Sequence, residues 1–518
     1  MTRHLPRPGL SRRGLLKGAS ALGASSLLLP FGLQTAMAYP RAGGVLRLAL
    51  GHGAATDSYD PAQWSNDFAA VFATARHGYL TEIGPDGQLT GEIAEHWATT
   101  DAVTWVLKIR KGVGFHSGRS LSVADVIASL NYHRNAASAV GPLVQNIVEL
   151  RADGWTLIIT LAAANVDFPL LLSDYHLPIM PAVDGRLDPL SADGCGPYQV
   201  QSYQPGRCAT MLRNRGYWKP DRAHFDGIEI LTEFSSAARQ AALQTGAVDL
   251  IDGVDLARLK VLQQTPGLLV QATAGTRQIG MAMDSRAVPY RDPNLRLALK
   301  YAIDREAMVA GLLHGYGAVG NDHPIGPTNR YFNTELAQKS YDPDRARYHL
   351  AQAGFDRIDV TLSTAQVAFD QATDAGRMFS AQAAKAGINL SVRSVRDDDY
   401  WRTVWRNDPF CASSSCGRPT EDWMFSTAYA AGARWNAGHW DNPRFDALLR
   451  LARSELADDR RREMYWEMQT ICSDQGAVVT PMFAPLVSAH TDKLANSGTI
   501  GANAPLDGLR VAERWWFA

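Results

Sequence analysis

The fold of this chain is decided by the stretch Asp292-Pro-Asn-Leu-Arg-Leu-Ala-Leu-Lys-Tyr-Ala-Ile-Asp-Arg-Glu-Ala-Met-Val309, which runs on to Gly315. Asp292 is a good N-cap, Pro293 suits the first helical position, and Gly315 ends a helix. The pattern therefore predicts one helix over 292–315. Its apolar residues recur at helical spacing and predict one buried face, made of Leu295, Ala298, Leu299, Ala302 and Ile303.

Strand and helix patterns alternate on both sides of this stretch. Strands are predicted at 44–50, 104–110, 155–161, 228–231, 248–251, 359–363, 388–395 and 478–483, with a hairpin over 194–218. Helices are predicted at 236–245, 342–354, 371–386 and 443–473, the last broken near 458. The alternation predicts an α/β fold. No low-complexity linker separates its parts, so we expect interleaved domains.

The composition is that of an ordinary globular protein. Of the 518 residues, 46% are hydrophobic and 20% are charged, and 51 basic residues face 52 acidic ones. The length suggests about three domains, and the composition excludes a disordered chain and a disulfide scaffold. A net charge of −1 argues against a protein that holds nucleic acid by bulk charge.

The first 38 residues read as an export signal. Arg12-Arg13 precedes a mild apolar run over 18–33, and Ala36-Met-Ala38 offers a cleavage site. The arginine pair resembles the twin-arginine signal. The apolar run is too short and too rich in Gly and Ser for a membrane anchor. We therefore expect cleavage after Ala38, a periplasmic mature chain, and contact with the twin-arginine translocase during export.

Among the five cysteines, one possible disulfide cannot be decided from the sequence. Cys195 and Cys208 flank the predicted hairpin at positions too far apart to bond. Cys411 and Cys416 either close a short loop as a disulfide or remain two free thiols. Cys472 is expected inside a helix. No Cys or His spacing matches a zinc site, so neither a metal nor a cofactor is expected.

Enzyme motifs are missing or out of context. Gly315-Tyr-Gly-Ala-Val-Gly320 matches a dinucleotide-binding pattern, but it follows a helix instead of a strand, so these glycines are expected to end the helix and turn the chain. The chain has no nucleophile elbow and no phosphate-binding loop. No catalytic residue is predicted, and the protein is not expected to be an enzyme.

Six motifs, found in order over about 44–485, resemble those of the extracellular solute-binding proteins of family 5, which serve ATP-driven importers of dipeptides, oligopeptides, nickel and related solutes. The helix over 292–315 is the best match. The other five are Gly112-Val-Gly-Phe-His-Ser-Gly118 with Ala124-Asp-Val126, Gly194-Cys-Gly-Pro-Tyr198 with Gly216-Tyr-Trp218, Gly246-Ala-Val-Asp249, Tyr341-Asp-Pro343 with Ala353-Gly354, and Asp441-Asn-Pro-Arg-Phe-Asp446.

The resemblance implies the two-lobed periplasmic binding protein fold, with a hinge and an extra domain in lobe one. Lobe one would be 39–273 plus 486–518, with the extra domain over about 83–177, and lobe two would be 274–485. The ligand would lie between the lobes, and closure would expel water from the cleft.

The resemblance also implies a function. The protein would be a periplasmic receptor for a peptide-like or other small polar solute, and would deliver it to an ABC permease and ATPase complex in the inner membrane. From its charge we expect a monomer. The alternatives are a nickel-chelate or haem receptor, which the scattered histidines disfavour, a secreted hydrolase on the same fold, and a sensor that signals without import.

One loop of lobe two departs from the peptide-binding pattern of this family. In peptide-binding members an Asp seven residues before an apolar position pairs with the amino terminus of the peptide. Counting back seven from Met424 gives Gly417, so this acceptor is missing, and Arg418 stands next to it. Because Arg grips carboxylate and phosphate groups, we predict that Arg418 binds an anionic group. Asp422 either orients Arg418, caps the helix near Trp423, or forms a purely structural ion pair with Arg418.

Tryptophans cluster around this loop, and each can be a core residue or a ligand wall. The cluster consists of Trp401, Trp405, Trp423, Trp435 and Trp440. The ligand contacts predicted from lobe two, besides Arg418 and Asp422, are Trp401, Trp423, Trp435 and Asn436. The facing wall predicted from lobe one is the loop after the first strand, with Trp64, Asn66 and Asp67.

Overall fold

The computed structural model describes residues 40–135, 138 and 140–518. The predicted export signal, with Arg12, Arg13 and the cleavage site after Ala38, lies outside the described residues. None of the described helices is long and apolar enough to cross a membrane.

The strands of the described residues come in chain order as follows. They are β1 (Val45–Leu50), β2 (Thr81–Ile83), β3 (Leu89–Gly91), β4 (Ala94–Ala98), β5 (Thr104–Ile109), β6 (Ile147–Asp153), β7 (Thr156–Leu161), β8 (Ala182–Val183), β9 (Arg186–Leu187), β10 (Tyr198–Gln204), β11 (Cys208–Arg213), β12 (Gly227–Thr232), β13 (Leu250–Ile251), β14 (Leu268–Met283), β15 (Ala318–Val319), β16 (Ile358–Thr364), β17 (Ile388–Ser394), β18 (Phe410–Ser415), β19 (Val478–Thr491), β20 (Leu494–Ala495) and β21 (Trp516–Phe517).

The helices of the same residues follow in the same order. They are α1 (Asp67–Arg76), α2 (Val123–Asn135), α3 (Gly141–Val144), α4 (Phe168–Leu171), α5 (Ser236–Gln244), α6 (Leu259–Gln264), α7 (Pro293–Tyr301), α8 (Arg305–Leu312), α9 (Pro343–Gln352), α10 (Ala372–Ala383), α11 (Asp397–Asp399), α12 (Glu421–Ala428), α13 (Pro443–Ser454), α14 (Asp458–Gln475), α15 (Pro505–Gly508) and α16 (Val511–Arg514). A π-helical turn, Tyr400–Val404, follows α11.

A mixed sheet runs through the molecule in the order β10-β11-β12-β1-β13-β19-β14-β18-β16-β17, with β15 paired to β19. At one end β1 is parallel to β12 and β13, and at the other end β16 is parallel to β17 and β18. A separate four-stranded sheet has the order β4-β5-β7-β6. Parallel strands with crossover helices are the mark of an α/β protein, so the predicted fold class is confirmed.

The two ends of the sheet are joined by β14 and β19, two long antiparallel strands of 16 and 14 residues. Their register shifts between Thr273 and Arg277, just after the pair Thr273–Leu486. The lobe boundaries expected at 273/274 and 485/486 fall at this pair. An irregularity in a two-stranded crossing is a place where a sheet bends easily.

The stretch that begins at Asp292 forms two helices instead of the predicted one. Asp292 caps α7 by accepting from the Asn294 amide at 2.7 Å, as predicted. The helix ends at Tyr301, because Asp304 caps a new helix by accepting from the Ala307 amide at 2.9 Å. The predicted buried face is confirmed, since its five residues are each fully buried. Local capping by a short polar side chain thus outweighed the continuous apolar pattern.

Candidate functional site

A cavity of about 610 Å³ lies in the half of the sheet that contains β18. That volume is typical of sites that enclose a small molecule. Its lining comes from β18, α12 and three loops, and consists of Trp401, Trp405, Arg406, Ser414, Ser415, Cys416, Arg418, Met424, Thr427, Ala428, Arg434 and Trp435. Trp401, Arg418 and Trp435 were predicted as ligand contacts, and the structure brings these three together.

The local fold projects Arg418 from the carboxyl end of a buried strand. β18 is held between β14 and β16, and the chain leaves it at Cys416. Gly417 then packs against Thr276 of β14. Thr420 begins α12 by accepting from the Trp423 amide at 3.0 Å. The loop that carries Arg418 is therefore fixed at both ends by the sheet and by a capped helix.

Three indoles form one wall of the cavity. The ring centroids of Trp401 and Trp405 are 5.7 Å apart, and those of Trp405 and Trp435 are 5.6 Å apart. Trp401 and Trp435 are 40% and 48% exposed, so their faces are open to a ligand. Trp405 belonged to the cluster seen in the sequence but was not predicted at the site. Its spacing of four from Trp401 was the available signal.

Three guanidinium groups share a second feature: each stacks on an indole. Arg418 lies 5.2 Å from the ring centroid of Trp423, and Arg434 and Arg406 lie 5.4 and 5.7 Å from those of their sequence neighbours, Trp435 and Trp405. Sequence reasoning missed Arg406 and Arg434, although each is adjacent to a tryptophan. A guanidinium on an aromatic face keeps its N–H edges free for an acceptor.

Asp422 takes none of the roles predicted for it. Its carboxylate accepts from Arg453 Nε at 3.0 Å, and it makes no contact with Arg418. The cap of α12 is Thr420 instead. Burial raises the pKa of Asp422 to about 6, and the charge of Arg453 opposes that shift. The predicted pair of Arg418 and Asp422 was wrong because a partner 31 residues away in the sequence holds the carboxylate.

Trp423 and Asn436 lie next to the cavity without lining it. Trp423 packs against the apolar cluster around β5 and β7. Asn436 is buried, and its amide donates to the carbonyl oxygens of Trp440 at 2.6 Å and Ala430 at 3.1 Å. Both residues shape the loops that carry Arg418 and Trp435, a supporting role in place of the predicted contact.

Of the three residues predicted from the first half, one is buried and two are partly exposed. The Trp64 side chain is buried, and its indole N–H donates to the Ser58 carbonyl at 2.9 Å. Asn66 caps α1 by accepting from the Ala69 amide at 3.0 Å. Asp67 is also partly exposed, and its carboxylate contacts His52 at 3.2 Å. The sequence correctly indicated a polar loop before α1, but Asn66 caps this helix and Asp67 is its first residue.

Tyr175, which sequence reasoning missed, has a pKa that responds to charges from both halves of the chain. Burial raises the pKa of Tyr175 well above its ordinary value; Asp174 and Asp67 raise it further, and Arg418 lowers it. The charges of Asp67 and Arg418 therefore act on the pKa of this phenol in opposite directions.

A second, smaller cavity of about 150 Å³ adjoins Asp67 at the strands β13, β14 and β19. Ligand atoms of His52, Asp67 and Asp252 lie within 4.8 Å of one another there, and no other group of this kind occurs in the described part of the chain. Burial raises the pKa of Asp252 to about 6, and the charge of Asp67 adds to the shift. His52 is exposed and already bonded to Asp67.

The disulfide left open between Cys411 and Cys416 is not formed, and all five cysteines are free. Cys411 is the second residue of β18 and Cys416 follows its last residue, so their Cα atoms are about 16 Å apart at the rise of an extended chain. A disulfide needs less than about 7 Å. Cys411 is buried, whereas Cys416 is exposed at the cavity.

Comparisons with known proteins bear on this geometry. The model of the bacterial extracellular solute-binding proteins, family 5 middle region, matches residues 88–437. The glutathione-binding protein GsiB of Escherichia coli K12 is 23% identical over 487 residues, which are 90% of this chain and 94% of that protein.

Two solved structures share the fold. DppA of Helicobacter pylori, an ABC transporter-associated periplasmic binding protein in complex with the peptide STSA, is 22% identical, with a TM-score of 0.74 over 92% of this chain and 98% of its own. AgaA of A. tumefaciens R10, in complex with agropinic acid, is 21% identical, with a TM-score of 0.73 over 92% and 99%. The two-lobed α/β fold expected from the sequence is confirmed.

Proposed function

Because this chain belongs to the bacterial extracellular solute-binding proteins of family 5, we propose that it is a periplasmic receptor that delivers a peptide-like or other small polar solute to an ABC importer. The observation that carries the proposal is the cavity of about 610 Å³ with Arg418 and three indoles in its wall. Its size fits a small solute, and its indoles and guanidinium offer apolar and polar contacts together.

We propose that the solute is enclosed by a hinge motion. The crossing of β14 and β19 at Thr273 and Leu486 is the hinge, with lobe one over 39–273 and 486–518 and lobe two over 274–485. Lobe one would close over the cavity that Arg418 lines. Closure removes water from the cleft, which strengthens the contacts of Arg418 with an anionic group.

The partners and location belong to the same proposal. The receptor is a monomer exported by the twin-arginine route, cleaved after Ala38, and recognised in its closed form by a permease and ATPase in the inner membrane. The test is the pair of changes Arg12→Lys and Arg13→Lys, followed by cell fractionation. Loss of processed periplasmic protein supports the route, and unchanged export contradicts it.

Native mass spectrometry of the mature chain, purified from its own cells without denaturation, tests the receptor function. We expect a bound small solute that dissociates on mild activation. Calorimetry with that solute then compares wild type with Arg418→Ala, with Arg444→Ala as control, since Arg444 is exposed and paired with Glu467. Lost affinity in the first variant alone supports the site. Equal affinity in all three removes Arg418 from it.

A further inference from the structure

The cavity of the proposed receptor carries three guanidinium groups and no carboxylate in its lining. Those of Arg406, Arg418 and Arg434 face it, and none of them forms an ion pair with any carboxylate in the part of the chain that the structure describes. We propose that the bound solute is a ring-containing or otherwise flat molecule with at least two anionic groups, carboxylate or phosphate. This proposal rests on the proposed function and narrows it to a class of ligand.

No carboxylate supplies a counter-charge in the lining of this cavity. Several partly or fully buried arginines elsewhere in the described residues pair with acids, as Arg305 does with Asp322 at 2.6 Å and Arg453 with Asp422 at 3.0 Å. The buried Arg76 and Arg296 pair with no acid there, but each donates to a backbone carbonyl oxygen. Three cations around one cavity repel each other, and their mutual repulsion favours an anion in the space between them. The missing charge is therefore expected to come from the ligand.

One of these guanidinium groups also has an unused donor. The Nε atom of Arg406 is buried and has no hydrogen-bond partner, while its Nη1 donates to the Arg434 carbonyl at 2.8 Å. A buried donor without an acceptor costs free energy until an acceptor arrives. An oxyanion at this wall would supply that acceptor once the guanidinium turns its covered Nε edge toward the cavity.

The charges come from two walls, which is why at least two anionic groups are expected. Arg406 and Arg434 are tied together by the hydrogen bond just described, and stack on Trp405 and Trp435. Arg418 comes from a different loop, after β18. A solute that spans the cavity with one anionic group at each wall would satisfy both, and its middle would lie against the indoles.

The lining of the cavity offers no carboxylate that could accept from an amino group of the solute. The lining contains no Asp or Glu, and position 417 has no room for one, because a Cβ there would lie 1.8 Å from the Thr276 hydroxyl oxygen. Glu421 and Asp422 point away from the cavity, toward the Tyr331 amide and Arg453. The described residues of this wall therefore select for negative charge.

The test uses calorimetric titration of the mature chain, freed of bound solute by unfolding and refolding. The probes share a benzene ring: isophthalate with two carboxylates, benzoate with one, phenyl phosphate with one doubly charged phosphate, and isophthalamide with no anionic group. We expect isophthalate to bind, benzoate and phenyl phosphate to bind about tenfold or more weakly because each reaches only one wall, and isophthalamide to show no heat. Glutarate, a dianion without a ring, should bind more weakly than isophthalate.

Variants assign the charge to the two walls. Arg418→Gln and Arg434→Gln are each expected to weaken binding of isophthalate about tenfold, and Arg444→Gln should leave it unchanged. Affinity should also fall as salt is added. Isophthalamide binding as tightly as isophthalate, or no binding of isophthalate at millimolar concentration, overturns the ligand class. A neutral or cationic solute in the native mass spectrum also overturns the proposed ligand class, but it supports the receptor function. If no bound solute is found, that result counts against the receptor function.

Discussion

Gly417 packs against Thr276 so closely that a Cβ atom at position 417 would lie 1.8 Å from the threonine hydroxyl oxygen and 2.1 Å from its Cβ. Thr276 lies on β14, one of the two strands that cross between the halves. The contact thus locks the loop that carries Arg418 to the crossing strands. Glycine is required here for close approach and not for an unusual backbone angle.

The change Gly417→Ala should destabilise the protein and loosen this loop. Real Cβ atoms do not approach within 3.0 Å of their neighbours, so β14 or the loop must shift, and overpacking of this kind costs about 1 to 3 kcal/mol. The measurement is a urea unfolding curve. Gly114→Ala is the matched control, because a Cβ at that position meets nothing within 4 Å. Equal stability of the two variants would show that the contact is not tight.

Asp167 and Arg461 form a buried ion pair between the α4 region and α14. Next to it, the Val166 amide donates to the Arg453 carbonyl at 2.9 Å. Asp167→Asn leaves the buried guanidinium without a full counter-charge, and breaking such a pair costs roughly 3 to 5 kcal/mol. We expect Asp167→Asn to lower the Tm measured by calorimetry. We also expect a larger radius of gyration in solution scattering, because the pair joins the part of the chain around α4 to the part around α14.

The control for this pair is Glu467→Gln, which breaks the exposed pair of Arg444 and Glu467. Exposed pairs contribute little to stability because solvent screens them, so the Tm should not change. If Asp167→Asn behaves like this control, the pair does not hold the two parts together.

Much of the fold was predictable from local patterns. The hairpin of β10 and β11 closes at the pair Gln204–Cys208, where a turn of Pro and Gly predicts it. The break between α13 and α14 lies at 455–457, beside the predicted one near 458. These features depend on residues that are close together in the sequence, so a single sequence is enough to predict them.

The site was less predictable because its contacts join distant residues. The partner of Asp422 is 31 residues away, and Arg406 donates to the carbonyl of Arg434, 28 residues away. The sequence around Asp422 does not indicate that Arg453 is the residue that binds its carboxylate. The tryptophan cluster was visible, but only the structure separates Trp435, which is half exposed, from Trp440, which is buried.

Glu421 should make stability depend on pH. Burial raises its pKa from 4.5 to about 7, and the Tyr331 amide, which donates to it at 2.8 Å, opposes the shift. Between these pH values the folded state binds more protons than the unfolded state, so stability falls as pH rises through the window. Glu421→Gln keeps the acceptor without the charge.

This variant should match wild type near pH 4.5 and exceed its free energy of unfolding at pH 8 by roughly 1 to 3 kcal/mol. Urea unfolding at several pH values measures the difference. Asp422 titrates in an overlapping window, with its pKa raised by burial to about 6, and is present in both proteins, so the difference reports on Glu421. A difference that does not grow with pH contradicts a buried carboxylate here.

Cys416 should be the first cysteine to react with N-ethylmaleimide. It is exposed at the cavity, Cys208 is half-buried, and Cys195, Cys411 and Cys472 are buried. Burial also raises the pKa of Cys411 to about 12, which suppresses its thiolate. Peptide mapping of the folded protein should therefore show label at Cys416 first, and Cys416→Ser should remove the fast phase.

The solute found by native mass spectrometry should slow this labelling of Cys416, because Cys416 lines the same cavity as Arg418. Unmodified Cys416 with a disulfide to Cys411 would contradict the strand geometry, and labelling that the bound solute does not slow would place the solute elsewhere.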